Sequence, residues 1–221
     1  MRTEPYQFGV WTRIVNQLRH GLVLHTVLRY LQHIGLGLKP YVLYREECSQ
    51  RSNDVTGGYC LQDITPANVE RVIESFPERY FAPGHFRQRV ASGDLGVLLT
   101  YGDEMVAYSW VNLRHCIFQE ILFELKPTEA HIMDTYVVRA HRGRRLAPMM
   151  RRVIIDRLCR MGRVSIFSAT ELFNTSARNF KKAMGATPLE VRISMTLSSR
   201  WRADCRLRSY GPSLPTRRWT I

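Results

Sequence analysis

The sequence predicts a mixed α/β domain built on one central sheet. Three observations carry this. Short β-branched and aromatic runs alternate with stretches of helical periodicity between about residues 58 and 198. The chain has 221 residues, 45% hydrophobic and 23% charged, which suits one sizeable core and leaves little room for two. Turn residues punctuate the runs at short intervals, and no internal repeat interrupts them.

The first fifty residues read as helix. Trp11, Ile14, Val15, Leu18 and Leu22 recur at helical spacing, and after Gly21 the face continues through Leu24, Val27, Leu28, Leu31 and Ile34. Arg13, Arg19, His20, His25, Arg29 and His33 hold the polar side. Gly35 to Pro40 is expected to end this helix, with Tyr41 to Tyr44 a short strand. Residues 1–57 are therefore expected to form an N-terminal amphipathic helical extension. Its apolar face packs on its own domain or a partner chain, or lies on an anionic membrane. The polar run Arg51 to Gly58 marks a boundary.

A domain is expected over 58–198. Tyr59 to Ile64 reads as a strand. Thr65 as N-cap and Pro66 at the first helical position open a helix reaching about Phe76. A second helical piece covers about Pro83 to Ala91. Leu95 to Tyr101 and Met105 to Leu113 form a hairpin across Gly102-Asp103, and Ala130 to Arg139 is a further strand. Leu146, Met149, Met150, Val153, Ile154 and Leu158 mark an amphipathic helix. Arg163 to Ala169 is a strand, Asn174 to Met184 a helix and Glu190 to Leu197 a last strand. The remainder, 199–221, is a basic tail whose Pro212 and Pro215 discourage regular structure, so an extended arm is expected.

Composition excludes a mostly disordered chain, a collagen and a disulfide-built miniprotein. No apolar run approaches the roughly 20 residues that span a bilayer, and residues 1–20 lack the apolar core of a secretory signal. The five cysteines are scattered, without a CxxC pair, and are read as reduced thiols in a cytoplasmic protein, the membrane periphery being the alternative. Thirty-two Lys and Arg against 19 Asp and Glu favour an anionic partner: a nucleotide, nucleic acid or an anionic membrane surface.

The informative stretch is Asp134 to Ala147: a strand end, a basic glycine-containing turn and a helix start. The first amides of a helix have no internal partner, and the helix dipole places positive potential there. Arg142, Arg144 and Arg145 add full charges, so a phosphate or pyrophosphate fits this turn. No P-loop occurs in the chain.

Here the chain resembles the Gcn5-related N-acetyltransferases (GNAT). Their pyrophosphate loop reads Gln or Arg, two residues, Gly, one residue, then Gly or Ala; Arg142 matches the first position and Ala147 the last, with Arg145 in place of the glycine. Asn174, Ala177, Phe180 and Gly185 match a second family block, with Lys181 where a Tyr is usual and Ala186 where a Phe is usual. The order of elements over 58–198 is similar as well. The resemblance implies a GNAT-like sheet whose fourth and fifth strands splay at a bulge, and a transfer from acetyl-CoA, or another acyl-CoA, to an amine without a metal. Val137 and Val138 then offer backbone groups to the pantetheine arm, an N–H near Val137 polarises the thioester carbonyl, and Arg142, Gly143, Arg144, Arg145, Leu146 and Ala147 take the pyrophosphate. Ala177 and Phe180 line the cofactor site. Asn174 contacts the pantetheine arm, caps its helix, or does both. Arg145 is expected in helical conformation, where a side chain is tolerated.

Asp134 is the candidate general base; the alternative is a carboxylate paired with a nearby Arg. Glu104, Glu120, His131 and His141 are further candidates. Lys181 is the candidate acid for the CoA thiolate, the alternative being a solvated helix lysine. The acceptor amine is expected between the first two helices and the loop from Arg114 to Thr128. Readings left open are a non-catalytic acyl-CoA-binding module and a nucleic-acid or anionic-membrane docking module on the same fold. A homodimer is also open.

Overall fold

The computed structural model describes residue 30 and residues 36–48, 57–77, 84–118, 121–197 and 201–211. The elements are β1 (Leu36–Glu47), β2 (Tyr59–Ile64), α1 (Val69–Ser75), α2 (Gly84–Ala91), β3 (Leu95–Tyr101), β4 (Glu104–Asn112), β5 (His115–Phe118), β6 (Ile121–Glu124), β7 (Glu129–Val137), α3 (Leu146–Arg160), β8 (Ser165–Glu171), α4 (Thr175–Ala183), β9 (Thr187–Leu197) and β10 (Trp201–Ser209). Eight strands form one sheet in the order β10-β9-β1-β8-β7-β4-β3-β2, and β5 with β6 forms a separate hairpin. In the large sheet only β7 and β8 run parallel.

Alternation along each strand sends successive side chains to opposite faces. Val97, Leu99, Ala107, Val111, Ala130, Ile132 and Ile166 meet Leu146, Met150, Ile154 and Leu158 of α3. Leu98, Tyr108 and Trp110 point the other way, onto Val69, Val72 and Phe76 at α1 and Phe86 of α2. There Phe86 stacks on Trp110 at 5.6 Å between ring centroids and meets Tyr108 edge-on at 5.2 Å. Further along, Cys116 and Phe123 of the β5–β6 hairpin cover Tyr41, Leu43 and Phe167. Each large apolar side chain buried this way contributes roughly 1.5–3 kcal/mol.

Several expectations change. Leu36–Glu47 is not a helix end followed by a short strand; it is one long strand between β9 and β8, drawn from the segment assigned to the extension. Gly37 is needed there for close approach, because a Cβ would collide with Thr196 Oγ1. Pro40 falls where β1 pairs with β9 alone, β8 ending at the Tyr41 to Glu171 pair. The amphipathic pattern over 1–29 and 31–35 lies outside the described residues. The basic tail supplies β10, an edge strand: Asp204 accepts hydrogen bonds from Tyr41 Oη (2.9 Å) and Arg192 Nε (2.5 Å), and Arg192 also pairs with Glu190 at 2.7 Å. Pro212 and Pro215 lie outside the described residues. α1 begins at Val69 rather than Pro66, because the Asn68 side chain accepts from Thr65 N–H (2.8 Å) and donates to the Asp63 carbonyl (2.9 Å), closing a turn ahead of the helix. Cys48 and Cys159, read as reduced thiols, are joined in a disulfide that ties the end of β1 to the last turn of α3. Cys60, Cys116 and Cys205 are not in disulfides. Among the described residues no helix is long and apolar enough to cross a membrane.

Candidate functional site

β7 and β8 are paired only over Glu129–His131 with Ser165–Phe167, although β7 runs on to Val137 and β8 to Glu171. The cause lies on the other side of β7. Against β4, Tyr136 faces Tyr108 and Met133 faces Trp110, so three steps on β7 match two on β4. Asp134 sits in this bulge with φ 47°, a left-handed conformation that Asp tolerates better than most residues. The bulge bends β7 away from β8, and a groove of about 1370 Å³ opens where they diverge. Val137, Arg142, Ala147, Asn174, Ala177, Phe180, Lys181 and Asp134 all line it, together with α2 and the β5–β6 hairpin.

At one end of the groove the chain passes from β7 into α3. A short 3-10 turn, Arg139–His141, precedes Gly143 (φ 81°) and Arg145 (φ 60°, ψ 24°). Arg145 is thus the N-cap of α3 in left-handed conformation, not the helical one expected. The geometry explains why glycine suits this position: a side chain there costs roughly 1–2 kcal/mol. No side chain caps α3, and among the described residues no backbone carbonyl accepts the amides of Gly143 to Ala147. Pro148, in the first turn, removes an amide that had no internal partner. Unclaimed amides on a turn that also carries Arg142, Arg144 and Arg145 remain, suited to a polyphosphate. Arg142 also donates from Nε to the Val137 carbonyl (3.0 Å) and lies over the Tyr136 ring at 5.6 Å.

Across the groove, α4 begins at Asn174, whose side chain accepts from the Ala177 N–H at 3.0 Å. Asn174, Ala177 and Lys181 share one helix face at spacings of three and four. Lys181 is not a solvated lysine; it is 6% exposed. Its Nζ stands over the Tyr44 ring at 5.5 Å. The nearby carboxylate, Glu46, is held by Arg151 of α3, with Nε to Oε2 at 3.2 Å and a second contact from the other guanidinium nitrogen. Burial, with the Arg151 charge adding to it and Glu46 opposing, pushes the Lys181 ammonium down to about 7.

The other half of the groove is bounded by α2, the hairpin and the ends of β3 and β4. Asp134 is ion-paired with Arg89 at 3.0 Å, both largely buried, and Arg89 lies over Trp110 at 5.5 Å. Sequence reasoning missed Asp94, a second carboxylate on this wall. Burial raises its pKa, against the pull of Arg89, Arg114 and His115, and Asn112 Nδ2 donates to it at 2.8 Å. The signal available was a lone acid between a helix and a strand, in Ser92-Gly93-Asp94-Leu95. His85 is held below the usual histidine range by burial and then by Arg89, against Asp134.

Other candidates fall elsewhere. Val138 does not line the groove; its N–H donates to the Val106 carbonyl (2.9 Å) and its carbonyl accepts from His141 N–H (3.0 Å). Leu146 is buried under the sheet, and Gly143, Arg144 and Arg145 are exposed beyond the groove's lining. Arg144 reaches Tyr59 Oη at 3.3 Å. His141 binds Tyr59 Oη (3.2 Å) and Glu104 (3.4 Å), which removes both from the groove wall. His131 is fully buried, its Nδ1 accepting from Ile117 N–H at 3.3 Å. Burial and then the charges of Lys181, Arg151 and Arg89 push it down to about 3, so it is neutral at ordinary pH. Glu120 lies outside the described residues. Among the described residues no group of three His, Cys, Asp or Glu could hold a metal.

A mixed sheet with a splayed parallel strand pair beside an uncapped helix start sets the fold, and solved structures resemble the chain as a whole. A putative acetyltransferase of the GNAT family from Novosphingobium aromaticivorans matches 74% of this chain and 67% of its own, at 15% identity and TM-score 0.56. A tandem GNAT protein from the clavulanic acid biosynthesis pathway matches 84% of this chain and 58% of its own, at 16% identity and TM-score 0.55. A Gcn5-related N-acetyltransferase from Sphaerobacter thermophilus matches 82% and 57%, at 16% identity and TM-score 0.52. This chain therefore spans a little over half the length of the last two. No family model and no curated protein matches its sequence. The chain has a GNAT-like fold.

Proposed function

We propose that the groove binds an acyl-CoA, with acetyl-CoA the default, and that the chain transfers the acyl group to an amine by direct attack. One observation carries this reading: β7 leaves β8 beside the start of α3, where among the described residues no carbonyl or side chain accepts the first amides, so a gap for the pantetheine arm adjoins a cradle for the pyrophosphate. The pantetheine arm lies in the gap beside Val137, Asn174, Ala177 and Phe180. The diphosphate sits on the amides of Gly143 to Ala147, with Arg142, Arg144 and Arg145 screening its charge. A backbone N–H near Val137 polarises the thioester carbonyl.

The amine enters from the side of α2 and the β5–β6 hairpin. It must attack as the neutral base, whereas a free alkylamine holds its proton to about pH 10.4. Asp134 takes that proton through water, its carboxylate fixed by Arg89. As the tetrahedral intermediate collapses, the C–S bond breaks and the Lys181 ammonium gives its proton to the CoA thiolate. A group titrating near 7 suits this task at neutral pH.

The test is release of free CoA thiol from acetyl-CoA over a panel of small amines, aminosugars and amino acids. Amine-dependent thiol release that falls in Asp134→Asn supports the reading. Acetyl-CoA binding with no release over the whole panel favours a binding module without turnover.

A further inference from the structure

The groove wall opposite β7 carries an amine of its own. The chain has four lysines among its 32 Lys and Arg residues: Lys39, Lys126, Lys181 and Lys182. Lys39, Lys126 and Lys182 are exposed, whereas Lys181 is buried and lines the groove. Its stem follows Asn174 and Ala177 along the α4 face that the proposed acyl-CoA would touch. The carboxylate nearest to acting on it, Glu46, has both oxygens held by Arg151.

We infer that Lys181 is a self-acylation site: resting on the reading above, its Nζ attacks the thioester of the bound acyl-CoA and becomes an amide. The neutral amine adds to the carbonyl carbon, the C–S bond breaks, and the proton shed by the nitrogen passes to the departing thiolate. The products are Nε-acyl-Lys181 and free CoA, with no further reactant. The groups facing Lys181 are Tyr44 and Glu46 on β1, Arg151 on α3 and, through the sheet, His131 on β7. His131 stays neutral, and Arg151 and Glu46, paired with each other, act on the amine in opposite directions, so the titration of Lys181 in this setting governs the reaction. A free alkylamine, by contrast, holds its proton to about pH 10.4. Acylation removes the group's charge and its transferable proton. Depletion of acceptor amine would therefore switch the site off.

The full chain is incubated with acetyl-CoA and no amine, from pH 6 to pH 9, and acetylated residues are mapped by peptide mass. Acetyl-CoA binding is titrated by calorimetry on the same preparation. The expected result is one acetyl group on Lys181, with an initial rate half-maximal near pH 7, unchanged in Lys182→Arg and lost in Lys181→Arg. Binding with no acetyl on Lys181, or with acetyl spread over Lys39, Lys126 and Lys182, overturns the inference while leaving the acyl-CoA site standing. Absence of binding overturns both.

Discussion

Arg89 on α2 holds the carboxylate of Asp134, the left-handed bulge residue of β7, at 3.0 Å. The pair joins the two walls of the groove on the acceptor side. It also orders the carboxylate proposed as the base, since both groups are largely buried and neither can turn freely into solvent.

Asp134→Asn keeps the shape of the bulge and removes the proposed base. Turnover is expected to fall about 10²- to 10⁴-fold, with acetyl-CoA affinity unchanged. Asp94→Asn, on the same wall, should cost less than tenfold. Steady-state kinetics with the best amine from the panel compares them. A larger loss at Asp94 would move the base there.

Arg89→Leu leaves the Asp134 carboxylate buried without its cation. Breaking a buried pair from one side costs about 3–5 kcal/mol. Urea unfolding of Arg89→Leu against wild type reads this directly. The double variant Arg89→Leu with Asp134→Asn should recover most of the loss.

Lys181 sets a pH dependence of stability. Its folded pKa of about 7 lies below that of an unfolded lysine, about 10.4. Between those values the unfolded chain binds more protons, so the stability carried by this group rises with pH across that window. The burial penalty is full below about pH 7 and gone near pH 10. Lys181→Met should therefore stabilise the fold by on the order of 3 kcal/mol at pH 7 and by almost nothing near pH 10. Unfolding of both proteins at pH 7 and pH 9.5 checks this; a gain independent of pH would contradict it.

Arg145 occupies a glycine conformation at the N-cap of α3. Arg145→Gly relieves roughly 1–2 kcal/mol of backbone strain and gives back part of it through the freer unfolded chain. A net stabilisation of up to about 1 kcal/mol is expected, seen as a higher Tm. Arg145→Val, β-branched in the same conformation, should lower it.

Much of the fold was legible because periodicity and turn chemistry agree over most of the chain. Periodicity places β3, Leu95–Tyr101, to the residue, and α3 and α4 within about two residues of their ends. The anion-binding turn was legible for the same reason: a strand, glycine and arginines, then a helical stripe. β1 was not, because Gly37 and Pro40 read as helix terminators, and the contact with Thr196 that demands Gly37 is 159 residues away. β10 was hidden by its arginines. Trp201, Ala203, Cys205 and Leu207 alternate with charged residues as an edge strand should, but the purpose of Asp204 lies in Tyr41 and Arg192. Within the site, Asp134, Asn174 and Lys181 could be named from their positions along the chain. The burial of Lys181 and the partnership of Asp134 with Arg89 could not, since both depend on elements 45 to 137 residues distant.

Calorimetric titration of the purified chain with acetyl-CoA, desulfo-CoA and ADP tests most directly whether the groove is an acyl-CoA site. Saturable binding of acetyl-CoA at one site per chain, tighter than ADP by at least about tenfold, or 1.4 kcal/mol, is the predicted result, because the pantetheine arm fills the gap between β7 and β8. Desulfo-CoA should retain most of that advantage. Equal affinity for ADP and acetyl-CoA would mean that the arginine turn binds phosphate alone, and would contradict the account.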